Sequence, residues 1–459
     1  MGYSLSRKDL PMSYDLIVIG GGASGEAASS LGAELGGKVV LVEQDLVGGE
    51  CGFWACIPSK SLLDSAGRRA IGAEYSWERA SARRDWNISR ENIDYPSDAS
   101  HVKPLSDAGV EIVRGVAQVI GMGKVEVRFK GGGPKVLDGR NLIICTGSKP
   151  SIPPMEGLEE AGYWTSRQAT STRDLPSSLV ILGGGPIGVE MAQVFARFGT
   201  KVIVVEHNDR LLARDHPRSS EVLAARLTEE GVEMRLGVRA EKVERKGAGR
   251  TVTLSDGSTV EGAELIVAVG RRAGDLTEMG VEEAGVKLDD RGLPAPDERM
   301  MIGDRVFVAG DAAGGLQFTH IADYEGRVAA RNAMGIEYRA DLSAVPRTTF
   351  TDPETAAVGM TVDEAEQQGI DAFEATQDFA TTARGYTIEG SVGHVTAVID
   401  RERKVLVGAF AAGPGASEII HEAVLGLKLK IPIEVLADTI HAFPTAARVF
   451  ANVLASADA

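Results

Sequence analysis

Short apolar runs that stop at glycines set the rhythm of this chain. Asp15 to Gly20 reads DLIVIG. The short apolar core of that run, Leu16 to Ile19, predicts a parallel strand buried on both faces. A helical stretch of small residues follows, GGASGEAASSLGAELGG, and then KVVLVE, a second strand. The order strand, helix, strand makes a βαβ unit. The same order returns at Leu179 to Gly183, LVILG, followed by GGPIGVEMAQVFARFGT and KVIVVE. Gly20 to Glu43 and Gly183 to Glu206 each span 23 positions. Two domains of one design are predicted.

Between them, Val110 to Thr146 alternates apolar strands with glycine turns and closes with LIICTG. Residues 150–178, rich in Pro and Ser, read as a crossover. Leu265 to Gly270, LIVAVG, closes the second domain, and Val306 to Asp311, VFVAGD, reads as a strand returning to the first. From about Val345 the texture changes. HVTAVID and KVLVGAF look like strands and SEIIHEAVLGLKL like a helix, which predicts a third, α+β domain. Residues 70–105 are polar and irregular and announce no clear element.

Composition narrows the class. A chain of 459 residues suits about three domains. The formal charge of −16 argues against nucleic acid and against an anionic membrane surface. No run reaches the roughly 20 apolar residues of a membrane span. Residues 1–11 are polar, so no signal peptide is expected and a cytoplasmic protein is. Three cysteines are too few for a disulfide scaffold.

Three segments carry chemistry. Gly20, Gly22 and Gly25 form G-x-G-x-x-G after the first strand. The first glycine permits a tight turn, the second lets a pyrophosphate approach the backbone, and the third lets helix pack on strand. The helix then offers free N–H groups and its positive dipole end to phosphates. Glu43, ending the second strand, can accept from ribose hydroxyls. Strand, glycines, helix, strand and acid in order outweigh a merely structural turn. Gly183, Gly185 and Gly188 with Glu206 repeat the set. An acid there favours NAD over NADP by repelling a 2′-phosphate. His207, Arg210 and Arg214 could still greet that phosphate, so NADP(H) stays as the less favoured reading.

The third segment is Gly48 to Lys60, GGECGFWACIPSK. Five residues of regular helix rise about 7.5 Å, whereas a disulfide needs Cα atoms about 4.4–6.8 Å apart. Cys51 and Cys56 can therefore bond only if the segment bends, and Gly52 and Pro58 supply irregularity. Lys60 would share a helix face with Cys56 and could stabilise its thiolate. Two inert thiols or half a metal site are the alternatives. No further cysteine cluster completes a site, and no metal is expected.

Together these segments resemble the pyridine nucleotide-disulfide oxidoreductase family, which includes glutathione reductase, dihydrolipoamide dehydrogenase and mercuric reductase. The resemblance runs from Asp15 to about Thr445. Its most specific part is two cysteines separated by four residues and followed by Pro-Ser-Lys. Further matches are Thr146-Gly147, Gly310-Asp311, Thr319-His320 with Glu325-Gly326, and Phe350-Thr351-Asp352-Pro353.

The resemblance implies an α/β fold with two Rossmann-like dinucleotide-binding domains and a C-terminal α+β dimerisation domain. Residues 1–149 and 271–344 would bind FAD, 150–270 NAD(H), and 345–459 a second copy of the chain. NADH would pass hydride to the flavin, which would open the Cys51–Cys56 disulfide and serve a small-molecule acceptor. Cys56 would be the flavin-facing thiol and Cys51 the interchange thiol, with Lys60 and Glu190 paired beside the flavin. By motif position FAD would lie on Gly20, Gly22, Ser24, Gly25, Glu43, Gly49, Lys60, Ala117, Thr146, Gly147, Asp311, Gln317, Thr319 and His320. NAD would lie on Gly183, Gly185, Ile187, Gly188, Glu190, Glu206 and Gly270.

The departures from the family pattern are specific. The family ends with a His before Pro-Thr and a Glu five residues after that His. Here Phe443 precedes Pro444-Thr445, and Arg448 holds the Glu position. His441 lies two residues early and should point elsewhere. Glu50 replaces a common Thr. Cys145 replaces a usual Ala and reads as a small buried residue. Trp54 reads as packing. The favoured function is NADH oxidation with a quinone, metal ion or small disulfide as acceptor. Carbon-bond chemistry like that of 2-ketopropyl coenzyme M oxidoreductase/carboxylase, and a non-catalytic flavin scaffold, are the alternatives.

Overall fold

The computed structural model describes residues 14–89 and 95–458. Residues 1–11, on which the signal-peptide reading rests, lie outside them. The first βαβ unit is Tyr14–Ile19 (β1), Ala23–Glu34 (α1) and Val39–Glu43 (β2). Helices Gly49–Phe53 (α2) and Cys56–Ala70 (α3) follow. The second unit is Ser178–Leu182 (β3), Pro186–Arg197 (α4) and Lys201–Glu206 (β4). Helix Thr319–Ala333 (α5) comes later. This is the α/β fold that the apolar runs predict.

The described residues pack as two compact units. One draws on 14–58, 84–89, 95–151 and 271–341. Its sheet centres on β1, which pairs in parallel with β2 on one side and Lys135–Ile144 on the other. Val306–Val308 adds in parallel beyond that strand. Ile17, Ile19, Val40 and Val42 face one core cluster, and Leu16, Val18, Val39 and Leu41 face the other. Burial on both faces is why these strands read as unbroken apolar runs. Gly326 lets α5 approach α1 closely, since a Cβ there would meet the Ser24 carbonyl oxygen at 2.3 Å.

The other unit draws on 59–83, 152–270 and 342–458. There β3 lies between β4 and Glu264–Val267, all parallel. Its C-terminal part is a five-stranded antiparallel sheet with Val405–Ala412 at the centre. Helices Ala416–Leu429 and Ala446–Asp458 share a core cluster with that sheet. Leu425 and Leu429, one turn apart, and Val435 are each more than half exposed in the single chain.

Residues 70–105 depart from the sequence reading. They contain two helices, Trp77–Ser89 and Ala99–Asp107. Trp77, Ala80, Ser81, Arg84 and Ile88 are buried at helical spacing. The stripe is hidden in the sequence because a serine and an arginine occupy two of its inward positions. Arg84 is tied at 2.7 Å to Asp85.

Candidate functional site

The two glycine loops are built alike. Gly20 and Gly183 have φ of +100° and +110°, a region that favours glycine. A Cβ on Gly25 would meet the Gly20 carbonyl oxygen at 1.8 Å, and one on Gly188 the Gly183 oxygen at 1.9 Å. Those two glycines press helix onto strand. Gly22 and Gly185 cap α1 and α4 with no side-chain bond to the first-turn N–H groups. A Cβ on either meets nothing within 4 Å. So the third glycine of each motif serves packing, and the second keeps an approach to the helix N-terminus clear. This fits a dinucleotide pyrophosphate at each loop.

Each loop is fastened to its acid. Glu43 accepts from Gly21 N–H at 2.6 Å, and Glu206 from Gly184 N–H at 2.6 Å. Glu206 also accepts from Asn208 and lies 2.8 Å from His207 Nδ1. Arg210 donates to the carbonyls of Ala213 and Asp215 and to Ser220, at 2.7–3.1 Å. It braces its own loop, which removes the sequence-based ground for offering it to a 2′-phosphate. Arg214 is exposed. Ile187 is half-buried on α4, and Gly270 is exposed at the end of its segment.

The cysteine segment hangs from the first loop. Gly48 N–H donates to the Gly21 carbonyl at 2.7 Å. A Cβ on Gly49 would meet Gly22 Cα at 2.8 Å. Helix α2 ends at Phe53, and α3 begins at Cys56. The break between the cysteines is the irregularity that a bonded pair requires. Both are free, half-buried thiols here. The Cys51 thiol is held far above the ordinary range, first by its hydrogen bond with Cys56 and then by burial. Cys56 Sγ lies 3.3 Å from Thr319 Oγ1, at the start of α5. Cys145 is buried, and burial pushes its thiol up to about 12, so it is inert.

The same unit gathers Asp311. It accepts from the Ser148 hydroxyl, which in turn accepts from Arg271 at 2.8 Å. Arg271 also lies 3.9 Å from Glu50. The Gln317 amide, oriented to donate to Arg271 and accept from Ala273, is 3.2 Å from each. Gly310 N–H donates to Glu325 at 2.8 Å. Burial raises the Glu325 carboxyl to about 7, with Asp311 adding to the rise against the Gly310 bond. Thr146 and Gly147 follow Cys145, whose carbonyl faces Gly20. Ser24 is buried, and a Cβ on Gly310 would lie 3.0 Å from its hydroxyl. His320 stacks on Phe318, and Ala117 sits half-buried in the strand Val116–Gly121.

Sequence reasoning passed over Ser148 and Arg271, which no pattern marks. Glu325, already marked by the Glu325-Gly326 match, sits on the buried side of α5 beside Ile321, Ala322, Val328 and Ala329.

In the other unit, Lys60 Nζ lies 2.8 and 2.9 Å from the two Glu190 oxygens and 3.2 Å from the Ser59 hydroxyl. Glu190 also accepts from Phe350 N–H, and the Phe350 ring lies 4.8 Å from Lys60 Nζ. The lysine's charge thus answers the Glu190 carboxylate, the pairing that the family resemblance implies. At the C-terminal end Phe443 is 74% exposed. His441 does point elsewhere: Nε2 lies 2.9 Å from Glu422, and Nδ1 lies 2.8 Å from the Thr439 carbonyl. Arg448 is exposed, and its backbone N–H donates to the Thr445 hydroxyl at 3.2 Å.

A family model described as pyridine nucleotide-disulphide oxidoreductase matches residues 14–326, and its dimerisation domain matches residues 345–453. The chain belongs to this family. This oxidoreductase is 33% identical to a dihydrolipoyl dehydrogenase of Geobacillus stearothermophilus, over 95% of this chain and 94% of that one. It is 29% identical to a mercuric reductase of Staphylococcus aureus, over 95% of this chain and 80% of that one. Among solved structures it is similar to the HOCl-induced flavoprotein disulfide reductase RclA of Escherichia coli, in its Cu(II) complex. There the TM-score is 0.88 at 26% identity, over 96% of this chain and 99% of that one. FAD and NAD(P)H are the cofactors of the family. No helix among the described residues is long and apolar enough to cross a membrane.

Proposed function

We propose that this enzyme oxidises NADH through FAD and the Cys51–Cys56 pair. Its acceptor is one that needs no proton from a positioned acid: a quinone or a thiophilic metal ion. The observation that carries the reading is the dyad position. Phe443 has no proton to give, and the nearby His441 is committed to Glu422 and the Thr439 carbonyl. Reducing a disulfide requires protonation of the leaving thiolate, whereas electron transfer to a quinone or metal ion does not wait on a fixed acid. The RclA structure is described as a Cu(II) complex, which favours the metal-ion arm.

When bound, FAD and NADH supply the hydride and electron transfer that opens the disulfide. FAD is held by Gly22 and the α1 N-terminus, Glu43 and Asp311, with Ser148 and Arg271 orienting Asp311. NADH is held by Gly185, the α4 N-terminus and Glu206. Lys60 and Glu190 form the ion pair beside the flavin, as in the family resemblance. The exposed Leu425, Leu429 and Val435 suit a homodimer built on residues 345–453. An acidic chain with two oxidisable thiols suits the cytoplasm.

The test is steady-state turnover of the FAD-loaded protein with NADH and several acceptors. Quinone or metal-ion reduction should outpace lipoamide and glutathione disulfide. Equal rates with either disulfide would refute the reading. An absolute requirement for carbon dioxide would move it to carbon-bond chemistry.

Donor choice is a separate expectation. With Arg210 occupied and Glu206 facing the ribose, NADH should be preferred to NADPH. Glu206→Ala should raise the KM for NADH about 10- to 100-fold, the worth of one charge-assisted hydrogen bond. A wild type that prefers NADPH would overturn this assignment of Glu206.

A further inference from the structure

Glu50 stands where the family pattern commonly has a neutral threonine, one residue before Cys51. The residue before it, Gly49, packs so closely on Gly22 that a Cβ would meet Gly22 Cα at 2.8 Å. Gly22 caps α1, where the FAD pyrophosphate is proposed to lie. Glu50 thus follows directly on a contact with the phosphate loop, and it carries a charge of the same sign as the phosphates. Its Oε2 is buried and lies 3.9 Å from a guanidinium nitrogen of Arg271. The side chains of Glu50 and Arg271 are 26% and 16% exposed, so water and salt screen the pair only in part.

Arg271 is held in place by other bonds. Strands Arg271–Ala273 and Ser148–Pro150 pair antiparallel. The guanidinium donates to the Ser148 hydroxyl at 2.8 Å and to the Ser148 carbonyl at 2.9 Å. The Ser148 hydroxyl donates its own proton to Asp311. One guanidinium therefore answers two carboxylates, Asp311 through Ser148 and Glu50 across the 3.9 Å gap. A guanidinium keeps its charge at any working pH, but it is a single charge. What Glu50 draws from it is withdrawn from the flavin side.

We infer that Glu50 sets how tightly this chain holds FAD, by taking up Arg271 charge that would otherwise offset the charge of the flavin's phosphates. Glu50 acts through Arg271 and is a positioning residue. The inference rests on the flavin site proposed above.

The test titrates the full-length protein, stripped of flavin, with FAD and reads the dissociation constant from flavin fluorescence. Arg271→Gln should weaken FAD about 10- to 100-fold, because the Glu50 carboxylate then loses that cation. Adding Glu50→Gln should restore about tenfold, a modest share of what two charges about 4 Å apart exert near a protein surface. Adding Glu50→Asp, which keeps the charge, should restore nothing. A merely structural role for Glu50 would not separate glutamine from aspartate in this way. No restoration by glutamine, or equal restoration by aspartate, overturns the inference. Should Arg271→Gln not fold, Glu50→Gln alone decides. It should tighten FAD about three- to tenfold by freeing the guanidinium, and unchanged or weaker binding overturns the inference. Gly22→Ala, which changes no charge, reports in the same titration on the flavin loop by itself. FAD binding unmoved by Gly22→Ala would sink the proposed flavin site and the inference with it. FAD weakened by Gly22→Ala, with no rescue at position 50, sinks the charge pair alone.

Discussion

Phe443→His combined with Arg448→Glu should raise turnover of lipoamide and glutathione disulfide by about 10²–10⁴-fold, the usual worth of a positioned general acid. The site can take the change. Phe443 is 74% exposed, so replacing it opens no cavity in the single chain. Arg448 is the third residue of the helix Ala446–Asp458, and its N–H donates to the Thr445 hydroxyl. A glutamate at that position can complete a capping box with Thr445. The present arginine instead places a cation at the positive end of a helix whose first turn holds no acid. The double variant should therefore gain a few tenths of a kcal/mol to about 1 kcal/mol in helix stability. His441 and Glu422 are untouched by the exchange. Rates with a quinone should change little, because that acceptor does not wait on the acid. The argument fails if the double variant gains nothing with either disulfide while still folded and yellow.

The parts of the site that are local in sequence are those the sequence makes legible. Both glycine loops, their acids and the broken helix between Cys51 and Cys56 follow from spacing and residue type. Contacts between distant segments are not written that way. Arg271 reaches Ser148 across 123 positions, and Ser148 reaches Asp311 across 163. No local pattern marks such a brace. Helical spacing places Lys60 on the face of Cys56, but it does not show Glu190, 130 positions away, which pairs with the lysine. Spacing shows which groups can share a face; it does not show what arrives from elsewhere. The helix Trp77–Ser89 was missed for a related reason, since buried Ser81 and Arg84 interrupt its apolar stripe.

Gly22→Ala and Gly25→Ala should both lose FAD, but by different physical routes. Gly25 is the packing glycine. A methyl there would sit 1.8 Å from the Gly20 oxygen, a backbone atom that cannot rotate away. Helix α1 must shift off β1, at the roughly 1–3 kcal/mol or more that overpacking costs. The flavin-free protein should therefore unfold at lower temperature than wild type. Gly22 is different. Its φ of −76° and ψ of −170° suit any residue, and a methyl there meets nothing within 4 Å. The flavin-free Gly22→Ala protein should unfold at the wild-type temperature. Its methyl nevertheless stands at the helix N-terminus where the FAD pyrophosphate is proposed to lie. A misfit of about 3 kcal/mol there weakens FAD more than a hundredfold. Flavin absorbance per chain after gel filtration, read beside thermal unfolding of the stripped proteins, separates the two routes. A Gly22→Ala protein that retains one FAD per chain would place the pyrophosphate somewhere other than this loop.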